Sequence, residues 1–170
     1  LYACVPDGLV PKIPQTITKQ MATDSLKWIC DKVFDEFPFD TDLDQAGAVA
    51  MLLTAVQRRL MTGSEGAPMF ATSSPVQSSG KTTLIQLVSY LVQGHGLPVT
   101  SWPTNEEEMG KHLLSILMGG AAIVLFDNLP EAGRIESIKL ASACTSEKFR
   151  NRCLGENREV EVPTNVVWCF

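Results

Sequence analysis

Residues 67–94 pass from a short apolar run, through a polar loop, into a stretch with helical periodicity. Ala67-Pro68-Met69-Phe70-Ala71-Thr72 reads as a buried strand. The loop is Ser73-Ser74-Pro75-Val76-Gln77-Ser78-Ser79-Gly80-Lys81-Thr82-Thr83. Behind it, Leu84, Leu87, Val88 and Leu91 recur at helical spacing from 82 to 92, with Gly94 near the end. From Pro68 onward strands and helices alternate, the pattern of a parallel α/β sheet. Few other architectures place a helix N-terminus directly after a strand.

The loop nearly spells G-x-x-x-x-G-K-[ST], in which backbone N–H groups cradle phosphates, Lys reaches the β/γ-phosphates and the hydroxyl ligates Mg²⁺. Gly80-Lys81-Thr82 is intact, while Pro75 stands at the first glycine, where proline can start the turn by fixing φ. Nucleotide contacts are assigned to Pro75, Gln77, Ser78, Ser79, Gly80, Lys81, Thr82 and Thr83. The helix dipole favours the negative charge held there. The competing reading is a Ser/Gly surface loop with a solvated lysine.

Further along, Leu97-Pro98-Val99-Thr100-Ser101-Trp102 reads as a short strand, and residues 106–118 as a helix opened by three glutamates. The continuous apolar run 121–126 suits a strand covered on both faces. It ends in Asp127-Asn128, an arrangement in which a carboxylate at the strand's end holds Mg²⁺ beside the loop hydroxyl. Asp127 and Thr82 are thus the metal candidates, and Lys81, Asp127 and Asn128 catalytic candidates. Asn128 can orient a water but cannot take its proton, and Glu131 reads equally well as an exposed acid. Residues 134–144 read as another helix and 152–162 as a hairpin turning at Gly155-Glu156-Asn157.

Upstream, residues 24–37 carry Leu26, Ile29, Cys30, Val33, Phe34 and Phe37 at helical spacing before Pro38. A second helix is expected over about 43–60, finishing with the cations Arg58-Arg59. The expected organisation is a linker over 1–23, a helical part over 24–62 and a core over 67–170. Both ends look cut, since the chain opens without Met and stops within an apolar run.

The chain has 170 residues, a net charge of −5 and 45% hydrophobic residues, which suits one globular domain and excludes a generally basic nucleic-acid surface. Its five cysteines lack metal-ligand spacing, and their odd number suits a reducing cytosol. No apolar run approaches the roughly twenty residues of a membrane span.

Phe34-Asp35-Glu36-Phe37-Pro38-Phe39, Leu52-Leu53-Thr54 with Arg58, Ser74-Pro75 with Gly80-Lys81-Thr82, Glu106-Glu107-Glu108, Leu125-Phe126-Asp127-Asn128, and Arg152-Cys153-Leu154-Gly155 before Val162-Pro163 form an ordered set. It resembles the P-loop ATPase modules of phage and mobile-element replication proteins, often joined to a primase, which are similar to AAA+ proteins and superfamily 3 helicases. The resemblance implies a three-layer α/β/α P-loop NTPase fold with a mainly parallel sheet. It places the strand from Asn165 between the loop's strand and the Asp127 strand, with a sensor residue beyond Phe170. It implies ATP and Mg²⁺ as ligands, a ring-forming homo-oligomer such as a hexamer, DNA as partner, an associated primase, and the cytoplasm of a bacterial or phage-infected cell. One departure is Ser78, where such proteins carry glycine.

Lys148-Phe149-Arg150-Asn151-Arg152, with Arg158 across the hairpin, is the basic cluster, in which Arg150 and Arg152 are candidates for DNA contact, for reaching a neighbour's nucleotide, or for a plain solvated hairpin balanced by Glu147, Glu156, Glu159 and Glu161. His95 is expected in a loop, His112 on a helix surface, and Trp28, Trp102 and Trp168 in packing. Two functions stand: an ATP-driven motor on DNA, and a nucleotide switch or assembly scaffold. A small-molecule kinase shares the loop but finds no acceptor-site motif.

Overall fold

The computed structural model describes residues 14–58, 60, 61, 66–76, 79–97, 99–127, 129, 135–153 and 158–170. The chain forms two compact units, Leu1–Asp40 and Thr41–Phe170. This division falls inside the 24–62 stretch that the sequence groups together.

In the first unit, α1 spans Lys19–Lys32. Thr18 caps it by accepting from the Met21 N–H at 3.2 Å, so the helix begins earlier than the apolar spacing suggests. It also ends earlier. The N–H groups of Val33 and Phe34 both turn onto the Ile29 carbonyl. The chain then closes a turn in which Phe39 meets Phe34 edge-on at 5.9 Å and Phe37 at 4.7 Å. No residue of α1 is buried, and Trp28 is 60% exposed, which corrects its expected packing role.

The second unit opens with α2, Asp42–Gln57, whose start is a reciprocal capping box between Thr41 and Asp44. Arg58 corrects the reading of its end. It is buried, and its guanidinium donates to the Thr164 carbonyl at 3.0 Å. Next come α3, Lys81–Gln93; β1, Val99–Ser101; α4, Glu106–Gly119; β2, Ile123–Asp127; α5, Ile138–Thr145; β3, Lys148–Arg152; β4, Glu159–Pro163; and β5, Val167–Cys169. The start of the hairpin therefore lies four residues before the expected 152, and its turn lies outside the described residues.

β1, β2 and β5 form a parallel sheet in the order β1-β2-β5. On the far side of β5, Phe70 pairs in parallel with Cys169. Phe70 N–H donates to Trp168 O at 3.0 Å, Phe170 N–H to Phe70 O at 2.9 Å, and Thr72 N–H to Phe170 O at 2.8 Å. The 67–72 run is thus paired but not a buried strand. Met69 is 49% exposed, and among the described residues no further strand pairs beyond this segment.

Strand alternation divides the sheet's two faces. Val124 and Phe126 of β2, with Trp168 and Phe170, join the core cluster built with α4, α5 and Phe149. Phe126 stacks on Trp168 at 6.0 Å and on Phe170 at 5.8 Å, and meets Trp102 edge-on at 5.4 Å. Leu125 and Cys169 turn to the opposite face, where Cys169 Sγ lies 3.6 Å from Met51 Sδ of α2. His112 corrects its surface assignment. Its ring lies 6.4 Å from Phe126, with Nε2 buried and without a hydrogen-bond partner. Among the described residues, no helix is long and apolar enough to cross a membrane.

Candidate functional site

Parallel pairing brings the loop and Asp127 to one edge of the sheet. Phe70 and Thr72 run parallel to β5, so the chain leaves the sheet at the strands' carboxyl ends and enters the loop there. β2 ends at Asp127 on that same edge, level with Ser101 of β1. Within β2, Asp127 follows Leu125 in the alternation, so it belongs to the α2 face rather than to the Phe126 core.

The loop returns into α3 through Gly80, which adopts φ +86° and ψ 13°. This left-handed conformation costs a side-chain-bearing residue roughly 1–2 kcal/mol, a local reason for glycine at this position. No side chain caps the helix, and the first turn closes with Leu84 N–H donating to Gly80 O at 2.9 Å. The N–H groups of the first turn, which an α-helix leaves without partners of its own, therefore face the loop. Lys81 Nζ donates to Ser79 Oγ at 3.4 Å, and Val76 N–H to Ser74 Oγ at 3.2 Å.

Ser79, Gly80, Lys81, Thr82 and Asp127 are half-buried, whereas Pro75 and Thr83 are exposed. Gln77, Ser78, Asn128 and Glu131 lie outside the described residues. A phosphate-bound Mg²⁺ takes one or two carboxylates and keeps several waters. One hydroxyl and one carboxylate at a partly open edge fit that demand. Among the described residues, no group of three or more His, Cys, Asp or Glu side chains could hold a metal independently.

Arg150 and Arg152 are elsewhere. They project with Lys148 from the exposed side of β3, while Phe149 enters the core and Asn151 lies against Gly110 of α4. Register sets Arg150 opposite Glu161 and Arg152 opposite Glu159. Lys148 Nζ reaches Glu161 at 3.0 Å and Arg150 Nη2 reaches it at 3.3 Å. The Lys148 ammonium holds the Glu161 carboxyl below the usual carboxylate range, with Arg150 adding to the effect. Near the start of α4, Lys111 lowers Glu107 chiefly by a hydrogen bond, and Arg152 adds a weaker field.

Sequence reading misses two residues that hold α3 in place. Gln86 pairs with the backbone of Leu97, and Gln93 accepts from the N–H of Ala122. The available signal is a pair of amides two helical turns apart on a largely apolar segment. A groove of about 730 Å³, lined by Val56, Leu91, Gln93, His95 and Ile123 among others, opens at the amino end of β2, away from the loop. No known protein family, curated protein or solved structure matches the chain.

Proposed function

We propose that this chain is the ATP-binding, ATP-hydrolysing P-loop module of a phage or mobile-element replication protein, working as a ring-forming motor on DNA. The observation that carries this reading is the shared edge: a Gly80-Lys81-Thr82 helix start and a strand-terminal Asp127 leave the sheet at the same end. The strand order adds support. Going across from Phe70, β5 comes before β2, the placement that the AAA+ resemblance implies for the strand from Asn165.

In this reading the α3 N–H groups and Lys81 hold the β/γ-phosphates, and Thr82 and Asp127 hold Mg²⁺, which supplies charge neutralisation at the transferring phosphoryl group. Asn128 orients the attacking water. Arg150 or Arg152 acts on a neighbouring subunit's nucleotide or on DNA.

A second reading, a nucleotide switch or assembly scaffold, is favoured by one observation. The hairpin sets Lys148, Arg150, Arg152 and the exposed Arg158 beside Glu147, Glu159 and Glu161, so among the described residues little net positive charge faces outward. ATP hydrolysis with and without single-stranded and duplex DNA, beside Lys81→Ala, separates the readings. The motor predicts hydrolysis that DNA stimulates and Lys81→Ala abolishes. Hydrolysis that persists in Lys81→Ala refutes the site, and hydrolysis indifferent to every DNA favours the switch.

A further inference from the structure

Resting on the nucleotide reading above, we propose that Gln93 is a positioning residue that sets the spacing between Thr82 and Asp127 from the opposite end of the sheet. Gln93 is the last residue of α3, and its Oε1 accepts from the Ala122 N–H at 2.9 Å, just before β2 begins. The helix and the strand thus meet at their far ends.

From that point the two arms run to the functional edge with matching lengths. The twelve residue steps of α3 from Gln93 back to Lys81 cover about 18 Å at 1.5 Å each. The five steps from Ala122 to Asp127 cover about 17 Å at 3.3 Å each. A bond at the base therefore sets Lys81 and Thr82 level with Asp127. Sliding α3 along β2 would misplace a hydroxyl and a carboxylate that must share one cation.

The amide is held in one orientation. Gln93 Nε2 donates to Ser89 Oγ at 2.9 Å, and the fully buried Ser89 hydroxyl donates to His95 O at 2.8 Å. With its nitrogen committed to Ser89, Gln93 presents its oxygen to Ala122. A second tie prevents rotation about the first. Leu97 N–H donates to Gln86 Oε1 and Gln86 Nε2 donates to Leu97 O, each at 2.8 Å. Gly96 admits this approach, because a Cβ there would lie 2.6 Å from Gln86 Oε1. The helix bearing the loop is tied to the entries of both β1 and β2.

The test compares Mg·ATP and metal-free ATP affinities of the wild-type chain, Gln93→Leu, Gln93→Glu and Lys81→Ala, with melting temperatures alongside. Gln93→Leu should lose roughly tenfold of the affinity gained from Mg²⁺, because small misplacements at a distance are felt at the reacting groups. Metal-free ATP, which needs the loop alone, should bind nearly as in the wild type. Gln93→Glu keeps an oxygen for the Ala122 N–H and should retain the Mg²⁺ gain to within about twofold. Should Gln93→Leu not fold, Gln93→Asn, with the amide one methylene shorter, should shrink the gain in the same direction. A merely structural role would lower the melting temperature of Gln93→Leu and leave its Mg²⁺ gain intact, overturning the proposal. Equal losses in Gln93→Leu and Gln93→Glu would overturn it too. Wild-type protein that binds Mg·ATP no better than Lys81→Ala would instead remove the nucleotide reading, and Gln93's role with it.

Discussion

Two polar regions of this chain carry basic residues suited to phosphate, and they differ in what their side chains already do. At the carboxyl edge, Lys81 and Thr82 are half-buried at a helix start whose N–H groups lack helical partners, and Gly80 occupies the left-handed region. On the hairpin, Lys148 and Arg150 are exposed and share Glu161. The hairpin's outward charges pair across the strands, whereas Lys81 Nζ meets a neutral hydroxyl, Ser79 Oγ, at 3.4 Å. Partnering, more than the count of cations, distinguishes a binding site from a solvated face.

Breaking the edge should have the largest effect. On the proposed reading Lys81→Ala removes a charge-assisted hydrogen bond of about 1.5–3 kcal/mol, so Mg·ATP affinity measured by calorimetry should fall about 10- to 150-fold. Gly80→Ala should destabilise the fold by roughly 1–2 kcal/mol in urea unfolding, through the left-handed backbone alone. Wild-type stability there would show that the loop relaxes to another conformation.

Alkali should act next. Burial pushes the Cys169 thiol up to about 12 and Cys144 up to about 11, from an ordinary 9.0. Above about pH 9 the unfolded chain releases protons that the folded chain keeps, so stability is full below that pH and declines as pH rises toward these values. Urea midpoints at pH 8 and pH 10.5 check the sign. Cys169 should also resist thiol alkylation at pH 8, where its thiolate is scarce. The smallest effect belongs to the hairpin. Glu161→Gln should leave the melting temperature nearly unchanged and raise DNA affinity a few-fold at low salt, by releasing Lys148 and Arg150. No change in DNA binding would mean that the hairpin does not meet DNA.

Much of this was legible from local signals. α3 announces itself by apolar periodicity ending near Gly94, α4 by its three opening glutamates, and β2 by an apolar run ending in Asp127. Tertiary placement was not. Periodicity shows that α1 has an apolar side but not whether anything covers it, and Trp28 remains exposed. Arg58 reads as a helix-end cation, yet Thr164, 106 residues away, takes its guanidinium. Gln86 and Gln93 look like solvent amides until Leu97 and Ala122 are brought beside them. The hairpin's cancellation depends on register, which pairs Arg150 with Glu161 only once β3 is known to begin at Lys148.

The central claim is that Thr82 and Asp127 serve one Mg²⁺, and a double-mutant cycle on the Mg²⁺-dependent part of ATP affinity tests it most directly. Thr82→Ala and Asp127→Ala should each remove most of that gain, and the double variant should lose scarcely more than Asp127→Ala alone. Losses that simply add would place the two residues in separate sites and contradict the account.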